Sequence, residues 1–201
     1  LNFSTRGAGK NSAGHTKQNI DIEASRLKLN DIINFLEIPI RASGLLEGGV
    51  SAVIDNEGLD QPSGEATLEL ANLSLEETDL NLQGMPPSLP KISLGQTQIE
   101  AKLDKGQVQI QKLVFGKGGQ DLSGMITGHM GLTTVKQGQG VGFVPGAYEF
   151  FIKLQVGESL KQKAGIYLGV LQNYLVAQNT YSIKLSGANF YAVPSMTKGP
   201  N

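Results

Sequence analysis

The stretch AYEFFIKLQVGESLKQKAGIYLGVLQNYL, residues 147–175, contains the two periodicities that decide the fold. Tyr148, Phe150, Ile152, Leu154 and Val156 recur in steps of two, the longest strict alternation in the chain, as in a strand with one buried face. After Gly157 the period changes. Leu160, Ala164, Tyr167, Leu168, Leu171, Tyr174 and Leu175 fall at helical spacings and predict one amphipathic helix near 158–175. Gly165 and Gly169 inside it cost about 1 kcal/mol each relative to Ala, so they predict close approach of a sheet or a partner.

Working outward, strands dominate. Upstream, Ile99, Ala101 and Leu103 lead through a Lys105-Gly106 turn to Val108, Ile110, Leu113 and Phe115, a predicted hairpin. Gly116–Gly119 reads as a turn, followed by a strand over Leu122–Leu132 and a glycine-rich loop from Gln137 to Gly146. Earlier still, Val50, Ala52 and Ile54 alternate before the turn residues Asp55, Asn56, Gly58, Pro62 and Gly64. Leu68 and Leu70 are followed by Leu73 and Leu75 one residue out of phase, which predicts a bulge near Ala71-Asn72. Leu80 and Leu82 extend the alternation until Pro86, Pro87 and Pro90 interrupt it, so 86–90 is a candidate sub-boundary or the rim of a sheet.

Between alternating pairs at Ile20/Ile22 and Leu27/Leu29 and the next strand, Asn30 or Asp31 can cap a short helix holding Ile32, Ile33 and Leu36, closed by Pro39. Residues 1–18 are polar and glycine-rich and read as a loop, an edge or a cut end; 19–194 form a single β-rich domain; 195–201 form a polar tail. Downstream of the helix, Tyr181, Ile183 and Leu185 predict a final strand.

The bulk numbers agree with a strand-and-turn protein. Hydrophobic residues make up 39% of 201, enough for an ordinary core, while 26 glycines are about twice the usual share. With 17 Lys plus Arg against 18 Asp plus Glu, the net charge of -1 gives no pull toward a polyanion, so a nucleic-acid partner is not expected. The absence of cysteine removes disulfides and thiolate chemistry.

No motif for catalysis or cofactor binding emerges, and no enzyme activity, cofactor or metal is expected. GAGKNSAGH near the N-terminus fails the phosphate-loop pattern at Ser4 and Asn11, and neither GKGGQD nor GQGVG joins a strand to a helix as a dinucleotide loop must. His15 and His129 are the only histidines; His129 alternates with Met125 and Thr127 on the face opposite Ile126, Met130 and Leu132. The candidate site is apolar: Tyr148, Phe150, Ile152, Leu168, Leu171 and Tyr174 could line a groove, or could be ordinary packing of helix on sheet.

Three longer stretches carry a resemblance. LKLNDIINFLEIPIRASGLLEGGVSAVID (27–55), PSGEATLELANLSL (62–75) and ISLGQTQIEAKLDKGQVQIQKLVFGKGGQDLSGMITGHMGL (92–132), with the closing YSIKLSGANFYAVP (181–194), resemble the AsmA-like and TamB-like envelope proteins, and more closely the GspN family of type II secretion. Shared features are the short apolar helix before a Ser-Gly strand, the Lys-Gly turn, and Gly124, Gly128 and Leu132 spaced along one return strand. The resemblance, over about Asn19 to Pro194, implies a curved antiparallel sheet or groove with a short N-terminal helix and a longer C-terminal one. It further implies a periplasmic domain anchored to the bacterial inner membrane by a helix upstream of Leu1, serving type II secretion as an assembly accessory through other secretion components. The alternative that it implies is a lipid-binding or lipid-transfer module holding acyl chains.

Overall fold

The computed structural model describes residues 1–35, 41–79, 88–116, 120–137 and 140–200. Leu36, Pro39, Leu80, Leu82, Pro86, Pro87 and the turn at 117–119 lie outside the described residues, as does the side chain of Tyr167.

Among the described residues, thirteen strands and two α-helices follow one another as β1 (Asn2–Lys10), β2 (Thr16–Lys28), α1 (Leu29–Phe35), β3 (Ala42–Ile54), β4 (Ser63–Leu75), β5 (Thr78–Asp79), β6 (Ser88–Leu89), β7 (Ile92–Asp104), β8 (Gln107–Phe115), β9 (Leu122–Gln137), β10 (Gly140–Val156), α2 (Glu158–Leu171), β11 (Leu175–Ala177), β12 (Thr180–Gly187) and β13 (Ser195–Lys198). Eleven of them form one open antiparallel sheet, in the order β1-β2-β3-β4-β7-β8-β9-β10-β12, with β11 and β13 sharing the outer edge of β12. Sequence neighbours are almost always sheet neighbours, as expected of a chain built from local turns. β5 and β6 pair only with each other. β4 and β7 pair directly from Leu75↔Ile92 to Gly64↔Leu103, so the sheet is continuous between the strands on either side of 76–91.

Several local expectations are met for the reasons that raised them. Lys105 and Gly106 both take positive φ, 47° and 75°, between the paired Asp104 and Gln107, as a two-residue hairpin turn requires. Asn72 has φ 54°, and the register steps from Leu70↔Thr97 to Leu73↔Gly95 around it: this is the bulge marked by the phase change of the leucines. Gly128, midway along β9, has φ +141°, and a Cβ there would run into the Glu149 carbonyl of β10, so no other residue fits that strand contact.

Several expectations need correction. The glycine-rich loop read from Gln137 to Gly146 is mostly strand: β9 runs to Gln137, and β10 pairs with it from Gly140↔Gln137 to Pro145↔Leu132. Of the loop, edge or cut end read over 1–18, the structure makes β1 and the start of β2 an edge hairpin, paired from Asn2↔Glu23 to Lys10↔Thr16. The polar tail contains β13, which adds to β12 through Ile183↔Lys198 and Ser186↔Ser195. The helix predicted near 158–175 stops at Leu171, with a break at Ala164 (φ -127°), and passes through a 3-10 turn at Gln172–Tyr174 into β11, where Leu175 pairs with Tyr181. Gly165 and Gly169 weaken the helix without bringing it near anything: both are exposed, and a Cβ at either would meet nothing within 4 Å.

The core is at one end of the sheet. Leu160 and Ala164 of α2 pack with Ile92, Leu94, Phe115, Val156 and Tyr181, and Leu73, Leu75, Leu113, Leu122, Ile126, Leu154, Leu168 and Leu171 close around them. Each large side chain buried there contributes about 1.5–3 kcal/mol. Phe115→Ala is therefore expected to destabilise the chain by about 3 kcal/mol, read as a lower urea midpoint at unchanged slope.

Candidate apolar site

The register assigns every strand residue to one of two faces. Rows of directly paired residues run Phe3, Ile22, Val50, Ala66, Ala101, Ile110, Gly128, Phe150, Leu185 and Met196, and beside it Gly48, Leu68, Ile99, Leu113, Ile126, Ile152 and Ile183. On the reverse face the row Ser4, Asp21, Ser51, Glu65, Lys102, Gln109, His129, Glu149 and Ser186 is polar throughout. The sheet thus has one apolar face running across all its long strands.

That face is covered unequally. α2 lies over the end that holds Phe115 and Val156, while Ile22, Val50, Leu68, Ile99 and Ile110 on the rest are only half-buried. Small residues hollow it locally. Ala52, Gly64, Ala66 and Ala101 leave a depression of about 110 Å³ walled by Val50, Leu103 and Val108, with nearly all of its surface apolar. A larger cavity of about 470 Å³ lies beside the β2 and β4 bulges and is mixed in character, with Arg26, Glu47, Glu69, Gln96 and Gln98 next to Leu45 and Leu70.

The six candidate residues fall into two groups. Tyr148, Phe150 and Ile152 lie side by side on the apolar face of β10; Tyr148 is buried, stacked 5.4 Å from Phe150 and 4.7 Å from Phe190. Leu168 and Leu171 pack into the α2 core at the other end of β10, and Tyr174 sits half-buried in the 3-10 turn. Phe150 and Ile152 therefore belong to a half-buried surface, Tyr148 is covered by the Phe190 ring, and the helix residues belong to the end under α2. The residues of this face on β2, β3, β4, β7 and β8 were missed as a site, although each strand's alternation announced them singly.

Polar clusters pin the ends of the sheet. At the turn end, Asp55 is 2% exposed and its carboxylate accepts the Asn11 side-chain amide at 2.9 Å and the backbone N–H groups of Glu57, Leu59 and Asp60. Burial pushes the Asp55 carboxyl up, but the Asp60, Glu57, Asn11 and Leu59 donors together outweigh it and hold it below the usual carboxylate range. Asn11 in turn accepts the N–H groups of Ala13 and His15, so one buried pair orders both the β1–β2 and β3–β4 turns. Toward the α2 end, the Ser43 hydroxyl, the Lys91 ammonium and the Ser74 hydroxyl lower Glu76 to about 2.

His129 stands exposed on the polar face between Gln109 and Glu149. Among the described residues no three His, Asp or Glu side chains gather as a metal-binding group, and no helix is long and apolar enough to cross a membrane. Comparison of the chain with family models, with curated proteins and with solved structures finds no match.

The Glu76 cluster sets a pH dependence. Its folded pKa lies below the ordinary 4.5, so its contribution is complete above about 4.5 and is lost as pH falls toward about 2. Urea midpoints of wild type and Glu76→Gln, measured across that window, are expected to converge as the pH drops; a constant gap would contradict the assignment.

Proposed function

We propose that this chain is a non-catalytic structural module of the bacterial envelope, an assembly accessory of type II secretion whose working surface is the apolar face of its sheet. One observation carries the reading: apolar residues stay in phase across every long strand, yet Ile22, Val50, Leu68, Ile99 and Ile110 on β2 to β8 are only half-buried. A surface of that size left half-exposed is characteristic of an interaction site. The resemblance to the GspN and AsmA-like families supplies the periplasmic and secretion setting, and with it the inner-membrane anchor.

A groove-like curvature is part of the proposal. Glu57 in the β3–β4 turn pairs with Lys136 of β9 at 2.6 Å, although β4, β7 and β8 lie between. Four strand spacings in a flat sheet would separate β3 from β9 by about 19 Å. The contact supports a sheet that curls at its turn end.

The first occupant of the face is a secretion-machine protein presenting an apolar strand or helix. The second reading, acyl chains of a lipid, is favoured by the hollow at Ala52, Ala66 and Ala101, whose wall offers hydrocarbon contact and almost no polar atom. Native mass spectrometry of the protein purified from a bacterial envelope separates them. Wild type is expected to retain a secretion component, and Phe150→Asp to lose it by at least about tenfold, because a carboxylate driven into apolar surface costs more than about 1.4 kcal/mol. Stoichiometric phospholipid lost from the same variant would establish the second reading. A wild-type chain carrying neither would refute both.

A further inference from the structure

The register places two uncharged segments at the same end of the sheet, the end away from α2. β10 pairs with β12 only from Gln155↔Thr180 to Tyr148↔Gly187, so residues 140–147 overhang β12, and the chain leaving Gly187 turns at that overhang. The overhang is Gly140–Ala147 and the turn runs from Ala188 to Pro194, with no Asp, Glu, Lys or Arg in either. Both expose large apolar side chains: Phe143 at 45% and Val144 at 44% in β10, Tyr191 at 91% and Val193 at 94% in the turn.

The turn is built to present them. The Asn189 side-chain oxygen accepts the backbone N–H groups of Tyr191 at 2.9 Å and Ala192 at 2.8 Å, fixing the backbone. Phe190 is turned back onto Tyr148, its ring 4.7 Å away and nearly parallel, which anchors the turn to the apolar face. Tyr191 and Val193 are left almost fully in solvent, followed by Pro194. Charged residues at this end lie in the β1–β2, β3–β4 and β7–β8 turns and at Lys136; Lys17 pairs with Asp60 and Lys136 with Glu57, and Asp104 and Lys105 sit at the β7–β8 turn.

We propose that this aromatic rim, Phe143, Val144, Tyr191 and Val193, seats in the interfacial layer of a phospholipid bilayer. Tyrosine has an apolar ring and a polar tip and is suited to the headgroup level, while valine and phenylalanine reach below it. Freedom from charge removes the main cost of entering that layer, and the fixed turn reduces the ordering cost. The rim is separate from the occupant of the apolar face: it needs a lipid surface and no lipid held in the sheet. Docked this way, the Phe190 ring over Tyr148 would lie between the membrane and the apolar face, whose far end is covered by α2.

The chain has no tryptophan, so Tyr191→Trp supplies a single reporter. With vesicles of phosphatidylethanolamine and phosphatidylglycerol, its emission is expected to shift to the blue and to be quenched by lipids brominated near the headgroup. In flotation, wild type is expected to rise with the vesicles, and Tyr191→Ser/Val193→Ser to bind at least about tenfold more weakly, since each large apolar side chain removed forfeits a factor of that order. Both positions are exposed, and an unchanged urea midpoint would show that the double variant folds. Val50→Asp, which puts a charge on the apolar face five strands away from β10, should still float. Unshifted emission, equal flotation of the double variant, or binding of the rim only to protein would overturn the proposal.

Discussion

Phase is the constraint on which the rest of the structure depends. A one-residue slip in any strand would turn its apolar residues to solvent, and five strands change phase within their own length. The even positions Ile20, Ile22 and Ala24 of β2 give way to Leu27; Leu68 and Leu70 of β4 to Leu73 and Leu75; Ile92 and Leu94 of β7 to Thr97 and Ile99; and Val108 and Ile110 of β8 to Leu113 and Phe115. In β10 the odd positions Phe143 and Pro145 give way to Tyr148. Each change is absorbed by an irregularity of the backbone, with positive φ at Arg26, Asn72 and Gly95 and register steps in β8 and β10. The bulges are thus the means by which strands of 9 to 17 residues keep one apolar face.

The two ends of this face are finished differently. At one, α2 supplies leucines and an alanine and makes the densest part of the molecule. At the other, a buried carboxylate and amide, Asp55 and Asn11, hold two turns together through hydrogen bonds to backbone N–H groups. Such a pair adds order without adding apolar cover, so the middle of the face stays open. A surface closed at one end, pinned at the other and half-exposed between suits a partner of extended shape better than a compact one.

Much of this was legible in the sequence. The alternation in β10, the Lys105-Gly106 turn and the β4 bulge all act through local backbone geometry, which a short window of residues specifies. What local reading could not supply is the pairing that turns separate alternations into one face: Ile22, Val50, Ala66, Ala101 and Ile110 are scattered over 89 positions and meet only through register. β1 and β13 escaped for another reason. Edge strands are held by the backbone hydrogen bonds of a neighbour, and Asn2–Lys10, with five polar residues and three small ones among its nine, carries almost no apolar rhythm of its own. The helix was overextended because Tyr174 and Leu175 keep its period while their backbone has already left it for β11.

Site-specific photocrosslinking in living cells tests most directly the claim that the apolar face is the working surface. A photoreactive phenylalanine analogue placed at Ile110 projects from the middle of that face, and one at the adjacent Gln109 projects from its polar reverse. The account predicts a discrete crosslinked partner, protein or lipid, from position 110 and none from 109. Equal crosslinking from both positions, or a partner captured only from 109, would contradict it.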